Sequence, residues 1–276
     1  WKTDFQNFST GIDPRVSYVN DYSNDLSFSF SVGQYSQFPN TLSVIQEFGN
    51  PEIGTYERSE HYVLSMKKTI SLNTTLLIEP YYKTFSNLAI EDLEKRYIDV
   101  GKGETHGIDL TYSKKMEDFN ILVAYTYTKS KRQLYSHTNK QYRFEGDIPH
   151  TLQISTQYEF KNKWHLSSLF RYSSGKPYTP ILYTGTYVYE GKEYQTPIYG
   201  EPYSKRLPNI IDLDIQIGKK FYHSDGTNTE YSIEFMNISS LVRNNVSAIK
   251  YDKNYKEVGA YREMGFLPAF HIIYRF

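Results

Sequence analysis

Apolar and polar residues alternate one by one over long stretches of the chain. Successive side chains of a β-strand point to opposite faces, so each stretch has one apolar face and one polar face. A helical spacing of apolar residues, by contrast, organises no long segment. The alternation predicts eleven strands, at residues 12–20, 25–34, 57–68, 73–84, 105–115, 119–131, 149–158, 163–174, 209–220, 228–250 and 265–276.

The connections between the predicted strands alternate in length. Short turns are predicted at 21–24, 69–72, 116–118, 159–162 and 221–227, and long loops at 35–56, 85–104, 132–148, 175–208 and 251–264. An antiparallel meander with such connections has its turns at one end and its loops at the other, as outer-membrane barrels do. The predicted fold class is therefore all-β, an antiparallel transmembrane β-barrel meander of about eleven strands. Its apolar face contacts lipid and its polar face lines the lumen.

A soluble, tyrosine-rich β-sandwich or β-propeller is the alternative fold. A sandwich needs a second apolar layer against its sheet, and the predicted loops would not all lie on one side. A propeller shows a sequence repeat of about 40–50 residues, and this chain shows none. Both alternatives are therefore less consistent with the sequence than the membrane barrel.

The composition supports a membrane barrel and excludes several other classes. The chain contains 28 Tyr and 16 Phe, and such aromatic residues form the interfacial girdles of barrels. Lys plus Arg and Asp plus Glu are balanced at 31 each, so no basic excess indicates a nucleic-acid partner. The absence of cysteine excludes disulfides, thiolate metal sites and cysteine nucleophiles. The longest apolar run, Ile121 to Tyr125, is too short for a transmembrane helix.

Several short segments carry a family resemblance by their order and spacing. They are Pro14-Arg15, Gln37-Phe38-Pro39, Gly101-Lys102-Gly103-Glu104-Thr105-His106-Gly107-Ile108-Asp109-Leu110, Ser174-Gly175-Lys176-Pro177-Tyr178-Thr179-Pro180, Arg206-Leu207-Pro208, Leu213-Asp214, Met236-Asn237-Ile238 and the terminal Tyr274-Arg275-Phe276. In these segments the chain resembles the C-terminal part of the barrel of TonB-dependent outer-membrane receptors, of the kind abundant in Bacteroidota. The resemblance covers nearly the whole chain.

The resemblance implies a partial domain. Barrels of this family have about 22 strands and a plugged lumen, and neither a plug domain nor a TonB box is visible in this chain. An odd strand number also cannot close an even antiparallel barrel. We therefore expect residues 1–276 to form the C-terminal part of the barrel, about its last half, with residues 1–10 in a preceding loop or strand. The plug and the TonB box are expected in a region missing from this chain.

The resemblance also implies a function in the bacterial outer membrane. It predicts the barrel wall of a receptor that imports a nutrient ligand by energised transport, when TonB-ExbB-ExbD acts on the plug through the missing N-terminal region. Outer-membrane lipid, the barrel-assembly machinery and a surface lipoprotein lid are the further implied partners. The machinery would recognise the terminal aromatic signal, Tyr274 and Phe276. A passive porin-like channel and a structural or surface-binding barrel in a larger assembly remain alternatives, and the sequence does not specify the substrate.

The polar residues of the predicted inner face indicate a wet lumen rather than an enzyme. Asp212 and Asp214 share this face, as do His165 and Ser167, but no motif marks a nucleophile or an activated carboxylate. The histidines show no close metal-ligand spacing. We expect no catalytic residue, no metal and no cofactor. Inward-facing glycines are expected to permit curvature of the sheet or the approach of a plug; these are Gly33, Gly107 and Gly218.

The long loop 175–208 is the strongest candidate for ligand binding. It is rich in tyrosine, which offers rigid contact area and a polar tip at a small entropic cost. The candidate ligand-binding residues are Tyr178, Tyr183, Tyr187, Tyr189, Tyr194, Tyr199 and Tyr203. Segments 183–190 and 193–199 are predicted to pair as an external hairpin around Gly191-Lys192. Packing of one loop against another at the barrel mouth is the alternative role of these tyrosines.

Overall fold

The computed structural model of the chain describes residues 12–39, 56–92 and 96–276. The expectation for residues 1–10 and most of the predicted loop 35–56 lie outside the described residues. Within the described part, no helix is long and apolar enough to cross a membrane.

Extended strands make up most of the described chain, together with one short 3₁₀ helix, Ile238–Leu241. The strands are β1 (Arg15–Ser23), β2 (Leu26–Gln37), β3 (Glu57–Ser71), β4 (Thr74–Glu91), β5 (Tyr97–Lys115), β6 (Phe119–Gln133), β7 (Gln141–Arg143), β8 (His150–Glu159), β9 (Trp164–Ser173), β10 (Pro177–Tyr178), β11 (Ile181–Tyr189), β12 (Lys192–Tyr199), β13 (Lys205–Arg206), β14 (Ile210–Tyr222), β15 (Asn228–Met236), β16 (Val246–Tyr251), β17 (Glu257–Arg262) and β18 (Leu267–Arg275).

One large sheet carries the predicted meander. Its strands follow the order β1-β2-β3-β4-β5-β6-β8-β9-β14-β15-β18, and the short β7 pairs with β6. The eleven strands on this path correspond in order to the eleven predicted strands, and each pairs with the one before it. The strand pairs whose register is described are antiparallel. The all-β antiparallel prediction is confirmed. Among the described strands, β1 and β18 are the two ends of this order, so the sheet that they form is not closed, as expected for part of a barrel.

Burial in the sheet is the inverse of that in a soluble protein. On the apolar face, Ile217 is 39% exposed and both Phe270 and Ile272 are 61% exposed. On the polar face, His165 is only 6% exposed and Ser232 only 2%. An apolar face that is left open while polar groups are buried has no stable environment in water, whereas lipid provides one. The predicted assignment of faces therefore agrees with the burial.

The tenth predicted strand, 228–250, is wrong in its second half. Strand β15 ends at Met236, because Asn237 adopts a left-handed backbone with φ of 51°. Asparagine tolerates this conformation better than most residues. The chain then forms the 3₁₀ helix and returns as a separate hairpin of β16 and β17. The loop 251–264 is accordingly longer and more ordered than predicted.

The predicted loop 85–104 is also largely extended structure. Strand β4 continues to Glu91 and β5 begins at Tyr97. Here Gly101 makes room for neighbouring side chains, since a Cβ at this position would lie 2.4 Å from Ile90 Cγ2. Local alternation does not reveal this extension, because the stretch from Gly101 to Glu104 is glycine-rich and polar.

The chain divides into two compact units. The first lies within Trp1–Lys67, Ile78–Ile108 and Thr128–Asp147, and the second within Lys68–Leu77, Asp109–Tyr127 and Ile148–Phe276. The second unit contains the strands β8 to β18. All the candidate tyrosines and the terminal aromatic residues belong to it.

Candidate functional site

The tyrosine-rich loop folds as a hairpin, as predicted, but its turn lies one residue earlier than the predicted Gly191-Lys192, since Lys192 already belongs to β12. Strands β11 and β12 pair in an antiparallel register from Tyr183 opposite Ile198 to Tyr189 opposite Lys192. The turn consists of Glu190 and Gly191, with φ of 50° and 76°. Positive φ at both central residues is the geometry that matches the twist of a two-residue hairpin, and glycine adopts it at no steric cost.

One face of this hairpin is an exposed aromatic surface. Alternation along β11 places Tyr183, Tyr187 and Tyr189 on the same side, and Tyr194 joins them as the cross-strand partner of Tyr187. The rings of Tyr187 and Tyr194 are stacked, with centroids 5.5 Å apart and planes inclined by 22°. All four side chains are exposed. We call this surface, made of Tyr183, Tyr187, Tyr189 and Tyr194, the tyrosine face.

The opposite face of the hairpin makes a hydrogen bond to a neighbouring loop. The Thr184 hydroxyl donates a hydrogen bond to the backbone carbonyl of Asn254 in the β16–β17 hairpin. Because Thr184 alternates with Tyr183, this contact leaves the tyrosine face uncovered. Loop-on-loop packing as the role of these tyrosines stays a prediction. Tyr199 shares the parity of Pro197, and so it lies on the packing side rather than on the tyrosine face.

Two of the predicted tyrosines belong to the base of the loop. Tyr178 is in β10 and pairs with Lys205 of β13. Burial raises the pKa of the Tyr178 hydroxyl, and Tyr251 and Glu257 raise it further. Tyr203 has a φ of 52°, and its backbone N–H donates to Thr179 Oγ1 at 3.0 Å. The seven candidate tyrosines thus do not form one cluster.

The loop base joins two of the segments that carry the family resemblance. Gly175 lies so close to Leu207 that a Cβ would stand 1.7 Å from the Leu207 carbonyl oxygen. The Leu207 N–H donates to the Lys176 carbonyl at 2.9 Å, and Arg206 Nη1 donates to the Gly175 carbonyl at 3.2 Å. Sequence reasoning identified both segments but did not predict their contact, which depends on the return path of the loop.

A polar network on the inner face joins the ends of β9, β14 and β15 to the root of the β16–β17 hairpin. Arg171 Nη2 donates to Asp214 Oδ2 at 2.7 Å, and Asp214 Oδ1 accepts the Asn237 N–H at 2.7 Å. The buried Asn245 donates to Asp212 Oδ1 at 2.7 Å. Asp212 and Asp214 share the inner face as predicted. Their partners are a cation, an amide and a backbone N–H, which makes them anchors of structure rather than an acid–base pair.

A second polar cluster occupies the inner face near the short turns. His165 Nε2 lies 3.4 Å from Glu230 Oε1, and Arg275 Nη1 lies 3.0 Å from Glu230 Oε2. His165 faces inward as predicted, but it is buried instead of bathed in lumenal water. Gly218 is its cross-strand partner and leaves the space that the imidazole ring fills. Side-chain packing is therefore a more specific reason for Gly218 than curvature or plug access.

The first unit contains a small polar cavity that the sequence did not reveal. Its volume is about 160 Å³, and it is lined by Tyr35, Ser36, Gln37, Glu57, Arg58, Ser59, Phe85, Leu88 and Arg132. The Arg132 guanidinium lies over the rings of Phe144 and Phe85, at 3.8 Å and 4.8 Å from their centroids. Its Nε has no hydrogen-bond partner among the described residues. The only sequence feature that pointed to this cavity was Arg132, a charged residue near the end of β6.

The terminal aromatic residues lie on the last strand of the sheet. Tyr274 pairs with Thr229 of β15, and its ring lies 6.4 Å from that of Phe276. Both side chains are exposed. Among the described residues, no group of three or more His, Cys, Asp or Glu side chains is placed to hold a metal ion.

A family model described as "TonB dependent receptor-like, beta-barrel" matches residues 1–246. A search of curated protein sequences found no match.

Solved structures with a similar fold include two receptors and an iron transporter. The ferric-catecholate import receptor Fiu from E. coli K12 superposes with a TM-score of 0.64 at 11% identity, covering 95% of this chain and 34% of that one. The ferripyoverdine receptor of Pseudomonas aeruginosa has a TM-score of 0.63 at 13% identity, with 94% and 32% covered. The FrpB iron transporter from Neisseria meningitidis has a TM-score of 0.63 at 15% identity, with 96% and 40% covered. The chain thus spans between about a third and two fifths of these proteins, and the likeness concerns the fold.

Proposed function

We infer the function from one premise: the chain belongs to the TonB-dependent receptor-like β-barrel family, whose members are outer-membrane transport receptors of Gram-negative bacteria and not enzymes. From this premise we propose that residues 1–276 form the C-terminal part of the barrel wall of a receptor that imports a nutrient ligand by energised transport. In this proposal a plug domain and a TonB box elsewhere in the parent protein couple the barrel to TonB-ExbB-ExbD. The Bacteroidota-like origin stays a prediction.

The tyrosine face is the observation that carries the receptor function. It lies on the long connection between sheet strands β9 and β14. In outer-membrane barrels the long connections face the external medium. Its four rings are exposed. Covering exposed aromatic rings with a ligand contributes favourable free energy of binding, so this surface is suited to bind one. The hairpin is fixed from behind by Thr184 and at its base by Gly175 and Leu207. A prearranged aromatic surface loses little entropy on binding.

The tyrosine face and the loop base take different parts in this proposal. Tyr183, Tyr187, Tyr189 and Tyr194 contact the ligand, whereas Tyr178 and Tyr203 hold the loop. Tyr199 lies on the other side of the hairpin and serves as an exposed control. The names of the structural neighbours refer to iron and iron complexes, which supports ferric chelates as the first ligands to test.

Two further partners belong to the same proposal. The barrel-assembly machinery recognises the exposed Tyr274 and Phe276 at the end of β18. A surface lipoprotein lid could cover the external hairpins and would co-purify with the native receptor.

Uptake by the full-length receptor tests the proposed function. Cells that express it are given an iron-55 ferric tris-catecholate, with and without an intact TonB system, and uptake is compared with that of empty cells. Energised import predicts uptake only with TonB, while a passive porin-like channel predicts equal uptake in both strains. At the binding step, Tyr187→Ala should weaken binding about tenfold, as the loss of an aromatic contact does. Tyr199→Ala should leave binding unchanged.

No uptake above that of empty cells would remove ferric catecholates as ligands. The same comparison would then be made with a ferric hydroxamate, because the TonB dependence is a property of the receptor and not of one chelate. Receptor-specific uptake that does not depend on TonB would contradict energised import.

A further inference from the structure

A lysine stands on the apolar, lipid-facing side of the sheet. Lys219 of β14 pairs with Trp164 on β9 and with Tyr231 on β15. Alternation along β14 places it on the same face as Ile215 and Ile217. The next residue, Lys220, points to the inner face, where its cross-strand partner is Glu230. Two adjacent lysines therefore meet opposite environments.

Aromatic rings surround the ammonium group of Lys219. Its Nζ lies 5.4 Å from the ring centroid of Trp164 and 5.1 Å from that of Phe221. No carboxylate pairs with Lys219 within the described part of the chain. Rings attract a cation but do not neutralise its charge. The site therefore keeps a positive charge that an anion from outside the protein can complement.

The aromatic surroundings of Lys219 extend along the outer surface. Phe221 meets Tyr231 edge-on at 5.8 Å, and Tyr231 stacks with Phe270 at 6.4 Å between centroids. Trp164, Phe221 and Tyr231 are all exposed on this side. Such a belt is typical of the level where hydrocarbon meets the lipid headgroups.

The position along the strand puts Lys219 near the periplasmic headgroups. β14 ends at Tyr222, beside the short turn before β15. A strand that rises about 3.3 Å per residue and tilts by about 45° descends roughly 2.3 Å per residue through the bilayer. Lys219 thus lies roughly 9 Å nearer the turn than Ile215 does. A lysine stem can carry its ammonium group the remaining distance into the headgroup layer.

We propose that Lys219, Trp164 and Phe221 form a binding site for the phosphate of an anionic glycerophospholipid in the periplasmic leaflet. The ammonium group donates hydrogen bonds to the phosphate oxygens, and the rings pack on the glycerol and the first methylenes of the acyl chains. The phosphate supplies the counter-charge that the protein itself does not place beside Lys219. The site is independent of the imported ligand and so goes beyond the proposed import function.

Native mass spectrometry of the purified full-length receptor tests this site. The receptor is titrated with phosphatidylglycerol or with diacylglycerol of the same acyl chains, which lacks the phosphate. Wild-type receptor should bind phosphatidylglycerol in preference. One lysine near anionic headgroups is worth about a fivefold change in affinity, so Lys219→Gln should lose about that factor, while Lys219→Arg should keep wild-type binding. Lys220→Gln removes the same charge from the inner face and should bind like wild type.

Three results of the lipid titrations would overturn the proposal, and displacement by inorganic phosphate would do so as well. They are equal binding of the two lipids by wild type, unchanged binding by Lys219→Gln, and an equal loss in Lys220→Gln. Folding of each variant is checked by heat-modifiable migration. If Lys219→Gln does not fold, the binding of the two lipids to the wild-type receptor still shows whether the phosphate is recognised. Excess inorganic phosphate should not displace the phospholipid, and displacement would identify a simple anion site instead.

Discussion

Gly218 lies directly opposite His165 in the register of β9 and β14, and a Cβ at position 218 would stand 2.4 Å from the His165 imidazole Cε1. Because Gly218 has no side chain, the buried imidazole ring of His165 on the neighbouring strand fits into the space beside it. That ring in turn reaches Glu230, which also binds Arg275 of the last strand. Four neighbouring strands are connected on the inner face through this one glycine.

Replacing Gly218 tests this packing. Gly218→Ala should destabilise the folded barrel by about 1–3 kcal/mol, the usual cost of adding a methyl group to a filled site. The measurement is the urea midpoint for loss of the heat-modifiable form of the full-length receptor. Gly265→Ala is the matched control, because a Cβ at that position meets no atom closer than 3.8 Å. Equal midpoints for the two variants would show that His165 does not need the space.

Adjacent residues of β14 test the assignment of faces. Ile215 pairs with Phe235 on the lipid side, whereas Gln216 Nε2 donates to Ser232 Oγ on the inner side. An arginine near the bilayer midplane costs about 2–4 kcal/mol on the lipid face and much less inside. Ile215→Arg should therefore reduce the folded fraction far more than Gln216→Arg, as measured by heat-modifiable migration. Equal tolerance would reopen the soluble β-sheet alternative.

The loop base gives a prediction that separates folding from ligand binding. Gly175→Ala forces the backbone away from Leu207, since no Cβ fits 1.7 Å from its carbonyl oxygen. The sheet should still form, but the loop should open more readily, and limited proteolysis within 175–208 should be about tenfold faster for a cost of about 1.4 kcal/mol. Ser174→Ala adds no atom at the neighbouring position and should leave the rate unchanged. An unaltered rate in Gly175→Ala would mean that the two segments are not held together in solution.

Local alternation was sufficient to predict the sheet. The apolar positions of β8, β9 and β14 mostly follow a period of two, with Ser168 and Lys219 among the exceptions, and a one-residue slip would turn every side chain to the wrong face. The strand order then follows from the short turns between neighbours. These features are local, and so the sequence alone contains them.

Features that depend on distant contacts could not be predicted in this way. The end of β15 at Asn237 depends on a hydrogen bond to Asp214, which is 23 positions earlier. The need for glycine at 175 arises only when Leu207 returns beside it. The tyrosine hairpin could be predicted, because its turn is local, but the division of its tyrosines between the tyrosine face and the loop base could not. That division follows from the pairing of Tyr178 with Lys205 and from the hydrogen bond of the Tyr203 N–H to Thr179 Oγ1.

The sidedness of the connections tests most directly the claim that this chain is an outer-membrane barrel wall with its tyrosine face toward the medium. Tyr189 and Asn139 are exposed in long connections, and Met116 and Asn162 are exposed in short turns. The chain contains no cysteine, so single cysteines at these four positions can be labelled in intact cells with a membrane-impermeant maleimide. The account predicts labelling at 139 and 189, and labelling at 116 and 162 only after the outer membrane is permeabilised. Labelling of 116 and 162 but not of 139 and 189 in intact cells would contradict it.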